Sequence, residues 1–268
     1  MTTTQNTTAS LLLRLKRRAF ALLPSSLRPP LRVAWMRVTG TLEREARSIA
    51  SLVPPGGTAL DIGANHGVYS YFMVRHFERV VAFEPQPACV QTLRSWANGR
   101  VEIRQVALSD HRGEGQLAIP IKAGVPLTGY ARLDAPVAGA SSELAVTVER
   151  LDDQGIDDVR FMKIDVEGHE LAVLRGGDEL LRRDHPLLIV EIEQRHLGPG
   201  HTVAEIVTHL ACRGYDCFFR FGDAWTEFGE FRVDTHQDID RVGKPGYVNM
   251  FLLLPRGSRP GAAPSTIS

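Results

Sequence analysis

From Thr58 onward, short apolar runs alternate with longer stretches whose apolar residues recur at helical spacing. TALDI, RVVAF, VEIRQVAL and VRFMKI predict strands, and VYSYFMVRHF and PACVQTLRSWAN predict the helices that cross between them. Successive strand–helix units of this kind imply an α/β fold, a mostly parallel sheet covered by helices on both faces. Further on, GHELAVLRGGDELLRR predicts a helix, LLIVEIE an apolar strand, and TVAEIVTHLACRG another helix. YDCFFRF and YVNMFLLL then predict a closing antiparallel pair. The stretch from Arg112 to Ser142, rich in Gly, Ala and Pro, predicts a loop region holding at most a small hairpin.

Ahead of this core, MTTTQNTTAS is polar and uncharged, and LLLRLKRRAFALL predicts a short basic amphipathic helix. Such a helix packs on the domain, makes peripheral contact with a membrane surface, or serves in targeting. Pro24, Pro29 and Pro30 are expected to break it, and VTGTLEREARSIASLV predicts a second helix leading into the core. The expected division is a basic arm over 1–39, a catalytic domain over 40–254 and a disordered tail over 255–268.

The 268 residues are 43% hydrophobic and 23% charged, which suits a globular chain and excludes a fibrous or wholly disordered one. No run of about 18 apolar residues appears that would predict a membrane span. The formal net charge is zero, which argues against a broad nucleic-acid footprint. It is unevenly spread: nine Lys and Arg against two Glu leave the first fifty residues near +7. Three cysteines, Cys89, Cys212 and Cys217, do not form a disulfide framework and point to a reducing compartment, hence the cytoplasm.

The sharpest local feature is ALDIGANHGVYSYF, a strand ending near Asp61, a turn with Gly63 and Gly67, and then a helix. The glycines let a ligand approach the backbone closely. Their spacing is not the G-x-G-x-x-G of dinucleotide sites, and no phosphate-cradling Lys follows, so a nucleoside cofactor without phosphates fits better than a diphosphate. Glu84, 23 residues beyond Asp61 at the end of the next strand, is placed to accept hydrogen bonds from ribose hydroxyls. In VALSD, Asp110 is a candidate partner for the adenine amine, beside Ala107 and Leu108 as walls for the base, and equally a turn cap.

DIGANHGVYS, AFEP, VALSD and FMKIDVEGHELAVLRGG, in that order, resemble the FkbM family of S-adenosylmethionine-dependent methyltransferases. The resemblance runs from about Thr58 to Leu254. It implies a class I methyltransferase, Rossmann-like fold: a seven-stranded, mostly parallel sheet of order 3-2-1-4-5-7-6 with a closing antiparallel strand. It also implies that Asp61, Gly63 and Gly67 surround the methionyl side of the cofactor, with Asn65 in the adjoining turn, Glu84 on the ribose and Asp110 near the adenine.

On the reacting side, KIDVEGHE places Asp165 and Glu167 two residues apart at a strand end, with His169 at the following helix start. Asp165 is expected to position cofactor or acceptor. His169 and Glu167 compete as the base that takes a hydroxyl proton, His169 having the reference pKa nearer neutrality. Glu191 and Glu193 are candidate acceptor contacts, as are Tyr130, Trp225 and Phe228. No metal site is assigned, with Mg²⁺ kept as an alternative for the carboxylate-rich strand ends. The expected reaction is methyl transfer from S-adenosyl-L-methionine to a hydroxyl of a sugar, glycan or polyketide-like small molecule. Two other classes stay open, an NAD-dependent oxidoreductase and a non-catalytic small-molecule or glycan-binding module.

Overall fold

The computed structural model describes residue 24 and residues 27–260. The basic helix expected from LLLRLKRRAFALL lies outside the described residues, as does the tail from 261 onward.

In chain order the elements are α1 (Arg28–Val38), α2 (Arg44–Leu52), β1 (Thr58–Ile62), α3 (Val68–Met73), β2 (Arg79–Phe83), α4 (Pro87–Ala97) and β3 (Glu102–Arg104). There follow β4 (Ala107–Ser109), β5 (Gly113–Lys122), β6 (Val125–Pro126), β7 (Arg132–Leu133), β8 (Ser141–Arg150), β9 (Val159–Ile164), α5 (Glu170–Gly176) and α6 (Asp178–Asp184). The last are β10 (Leu187–Glu191), α7 (Val203–Ala211), β11 (Tyr215–Phe221), β12 (Ala224–Glu227), α8 (Val233–His236) and β13 (Met250–Pro255).

The main sheet has eight strands in the order β12-β11-β13-β10-β9-β1-β2-β3. Strands β3, β2, β1, β9 and β10 run parallel, and β13 lies antiparallel between β10 and β11. Without β12 this is the expected order. The eighth strand, β12, hairpins onto β11 at the edge and corrects the count of seven.

Side chains alternate across this sheet. Leu60, Ile62, Met162, Ile164, Leu188 and Val190 face one buried cluster with residues of α5, α6 and α7. Ala59, Val80, Phe161 and Ile189 face the other, with Ile49 of α2, Met73 of α3 and Leu93 of α4. Covered on both faces, β1 is buried at every position, Asp61 included.

Two expectations are overturned. VEIRQVAL is not one strand: β3 stays in the main sheet, while β4 leaves it to pair with β8. The stretch from Arg112 to Ser142 is not mainly loop, because β5 pairs over eight positions with β8 and anchors a second, five-stranded sheet. Gly115 serves close packing there: a Cβ on it would lie 2.8 Å from Leu133 and 2.9 Å from Val148. Pro29 and Pro30 open α1, where a missing N–H costs nothing, and the helix they are expected to end lies outside the described residues. The segment read as one helix over 168–183 is also divided, into α5 and α6 at Gly177. Ordered chain reaches past the expected boundary at 255, since the Arg256 and Gly257 amides donate to the Gly214 carbonyl and Asp216.

Candidate active site

A cleft of about 610 Å³, counting its open mouth, lies at the carboxyl ends of β1, β2 and β9. This is where strand order reverses in a doubly wound sheet, the place where such sheets bind ligands. Four of the seven expected cofactor residues line it: Gly63, Asn65, Glu84 and Asp165. The three expected catalytic residues, Asp165, Glu167 and His169, line it as well.

The turn after β1 is set by backbone geometry. Gly63 has φ +72, and a Cβ there would sit 1.9 Å from the Asp165 carbonyl oxygen, so the turn can meet the β9 end only without a side chain. Asn65 follows with φ 48, and its side-chain oxygen lies 3.5 Å from Cys89 Sγ and 3.4 Å from Thr128 Oγ1.

Glu84 is 2% exposed, and its two oxygens accept from the backbone amides of Asn65 (2.7 Å) and Gln86 (2.9 Å). Burial, which outweighs those hydrogen bonds, pushes its pKa up to about 7. Further donors at this carboxylate would favour its charged form, as ribose hydroxyls do.

Asp61, Gly67 and Asp110 are not brought to the cleft. Asp61 is fully buried and accepts from the Ser70 amide (2.8 Å) and hydroxyl (2.5 Å), so it fixes the start of α3 from beneath. Gly67 gives α4 room, since a Cβ would lie 2.4 Å from Leu93. The Asp110 side chain is largely exposed and engages His111 at 3.0 Å, while its neighbour Ser109 is the buried one.

His169 Nε2 is 2.9 Å from the Ser109 hydroxyl. Its charged surroundings are Asp110, Asp134 and His111, which places it on the side of β4, away from Glu191. Burial lowers its pKa, so the imidazole is neutral near pH 7. Glu167, held at φ 54, turns the other way and lies 2.9 Å from His196 Nδ1. Burial raises its pKa. Glu170 supports this loop from below, accepting from the Gly168 amide at 2.9 Å.

Lys163, from the centre of β9, is buried between Asp165 (3.2 Å) and Asp61 (3.6 Å) and also donates to the Gly63 carbonyl (2.8 Å). Burial works against its charge, but the two carboxylates prevail and keep it protonated. Among the described residues no group of three or more His, Cys, Asp or Glu is arranged to hold a metal ion. The Asp61 and Asp165 pair has a cation of the protein's own.

Glu191 and Glu193 lie beyond this cleft. Glu191 neighbours Asp165, and Asn249 donates to it; burial, then the Asp165 charge, raise its pKa well above the carboxylate range. Glu193 is buried and would be raised by that alone, but Arg195 and Tyr247 bond to it and hold it low. Tyr130 is exposed, whereas its neighbours Thr128 and Gly129 line the cleft. Trp225 lies in β12 beneath the Arg220 guanidinium, and Phe228 packs on Phe231 and Phe251.

The sequence reading missed Gln86, Thr128, Lys163 and the roof of the cleft. Gln86 Nε2 donates to the Thr128 carbonyl at 2.9 Å, while its Oε1 is buried without a hydrogen-bond partner. Leu117 of β5 and Leu133 of β7 line the cleft together with Ala107 and Leu108 and give it an apolar wall. An unsatisfied acceptor beside an apolar wall and a ribose-competent carboxylate fits an adenosine moiety.

This sheet order, with an acidic and apolar cleft at its switch point, is that of a class I, S-adenosylmethionine-dependent methyltransferase. Residues 61–217 match the Methyltransferase FkbM domain, and the chain belongs to that family. The methyltransferase sdnD of Sordaria araneosa is 28% identical over 204 residues, 63% of this chain and 76% of that protein. The 2-O-methyltransferase NoeI of Sinorhizobium fredii (strain NBRC 101917 / NGR234) is 25% identical over 198 residues, 64% of this chain and 78% of that one. A crystal structure of a methyltransferase FkbM from Methylobacillus flagellatus KT superposes with a TM-score of 0.47 at 16% identity. It covers 85% of this chain, which spans about half, 54%, of that one.

Proposed function

We propose that the enzyme methylates a hydroxyl oxygen of a sugar, glycan or polyketide-like small molecule. The observation that carries this reading is the partly buried carboxyl group of Glu167, in the cleft beside Asp165 and held by His196, with Glu191 next to Asp165 at the neighbouring strand end. Carboxyl groups of that kind orient hydroxyls and take their protons. The name 2-O-methyltransferase borne by NoeI supports oxygen as the attacked atom.

The cofactor supplies a methyl group already activated on a sulfonium. Glu84 receives the ribose hydroxyls, Gln86 an adenosine donor, and Ala107, Leu108, Leu117 and Leu133 enclose the base. As the acceptor oxygen bonds to the methyl carbon and the carbon–sulfur bond breaks, the hydroxyl proton passes to Glu167. Its raised pKa brings it nearer neutrality, where a general base works best. His196 fixes the orientation of Glu167, and Asp165, held by Lys163, orients the reacting groups. His169 is assigned to the adenosine side through Ser109. Three free thiols, with Cys212 exposed, support placing the enzyme in the cytoplasm.

Single-turnover rates with a confirmed acceptor test these roles. Glu167→Gln should slow methylation by ~100-fold or more while leaving S-adenosylmethionine affinity near the parent's. His169→Ala should instead act mainly on that affinity. A folded Glu167→Gln enzyme at the parent rate refutes the assignment of the base.

A further inference from the structure

Glu43 precedes the matched family segment, yet its charge belongs to the active site. It is the residue that opens α2, but its side chain makes no capping bond to that helix. Its carboxylate instead accepts from the hydroxyl of Tyr69, at 2.5 Å. Tyr69 is 5% exposed in the first turn of α3, and its ring lies 5.4 Å from Lys163 Nζ. The residue as a whole is exposed, while its carboxylate is partly buried where it meets Tyr69.

Its electrostatic neighbours place it. Asp165 and Lys163 both act on Glu43, and Glu43 in turn acts on Glu191. Through Tyr69, Glu43 therefore stands on the Lys163 and Asp165 side of the site. Asp61 and Asp165 already share the single ammonium of Lys163, so the Glu43 carboxylate adds negative charge that this ammonium does not match. Burial raises the Glu43 pKa, so its ionised form calls for a further cation. With the ribose at Glu84, the end of the cofactor that reaches beyond Gly63 is its amino-acid end. Of the two positive centres there, only the ammonium carries N–H donors.

We propose that Glu43 receives the α-ammonium group of S-adenosylmethionine, so that a segment outside the matched family residues recognises the amino-acid end of the cofactor. The proposal rests on the cleft being the cofactor site, and a pair of probes separates the two claims. S-adenosylhomocysteine carries the amino-acid end; 5′-methylthioadenosine keeps the adenosine and thioether without it.

Calorimetric titration of the full chain with both probes compares the parent with Glu43→Gln, which keeps an acceptor for Tyr69 and removes the charge. S-adenosylhomocysteine affinity should fall about tenfold to a hundredfold, the scale of one charge-assisted hydrogen bond, while 5′-methylthioadenosine affinity stays within about twofold. Glu43→Asp, which restores the charge, should recover part of the loss. Unchanged S-adenosylhomocysteine affinity overturns the proposal, and so does an equal loss for both probes, which would mark a change of fold. If the parent binds neither probe, the assignment of the cleft itself fails, a result distinct from either.

Discussion

Glu84 shows how one side chain couples folding to ligand binding. In the ligand-free protein its pKa is pushed up to about 7, above the ordinary 4.5, so the folded state prefers the protonated carboxyl. Its contribution to stability is full below about 4.5 and is lost as pH rises through about 7. Ribose hydroxyls are donors and favour the carboxylate, so cofactor affinity runs in the opposite direction. S-adenosylhomocysteine should bind about tenfold more tightly at pH 8 than at pH 6, following the ionised fraction of Glu84. Glu84→Gln should weaken binding at pH 8 by about tenfold to a few hundredfold and flatten the profile. A slope that persists in that variant would remove the ribose contact from Glu84.

Among the elements, α5 and β4 meet with no room to spare. Gly176 closes α5, and a Cβ there would lie 1.9 Å from the Ser109 carbonyl, a backbone atom that the β4–β8 pairing holds in place. Gly176→Ala should therefore destabilise the fold by about 1–3 kcal/mol, as overpacking does. It should also weaken cofactor binding, because Ser109 holds His169. Chemical denaturation and titration read the two effects. An alanine variant as stable as the parent would mean that α5 shifts freely on the second sheet. The same packing explains why the glycines of the 112–142 stretch were misleading. Gly115 reads as a loop residue in one dimension, yet it makes space for Leu133 and Val148 in three.

The molecule as a whole divides its work between two sheets and the helices that precede them. The main sheet presents the acidic strand ends, the second sheet roofs the cleft with Leu117 and Leu133, and α2 brings Glu43 to the reacting side. The boundary expected at residue 39 cuts through this arrangement, since Val33 of α1 is 4% exposed and Ile49 of α2 is 2% exposed in the core. Deleting residues 1–10 should leave thermal stability and S-adenosylhomocysteine affinity at the parent's values. Deleting 1–35 should lower the melting temperature measurably, because the buried Val33 goes with it. Equal melting temperatures for the two truncations would show that α1 contributes nothing to the core.

The strand order came with the family resemblance, whereas the sequence by itself determined the parallel sheet and the residues of the Gly63 turn. Those features rest on local periodicity and on residue types at strand ends, both of which are readable along one dimension. Glu84 was legible for the same reason: an acidic side chain directly after an apolar strand has one place to be. Asp61 ends its strand in the same way, but only packing shows that Ser70 and Lys163 consume its carboxylate. Lys163 carried a signal that was passed over, since a lone charge within VRFMKI must find partners when both faces of the sheet are covered. Nothing local separates β3 from β4, and the break appears only because β8, some forty residues later, competes for the second half. Tertiary structure alone decided which carboxylates share the cleft and which way His169 and Glu167 turn. Those outcomes depend on groups distant in sequence excluding water from the same space, and burial of that kind sets both their protonation and their reach.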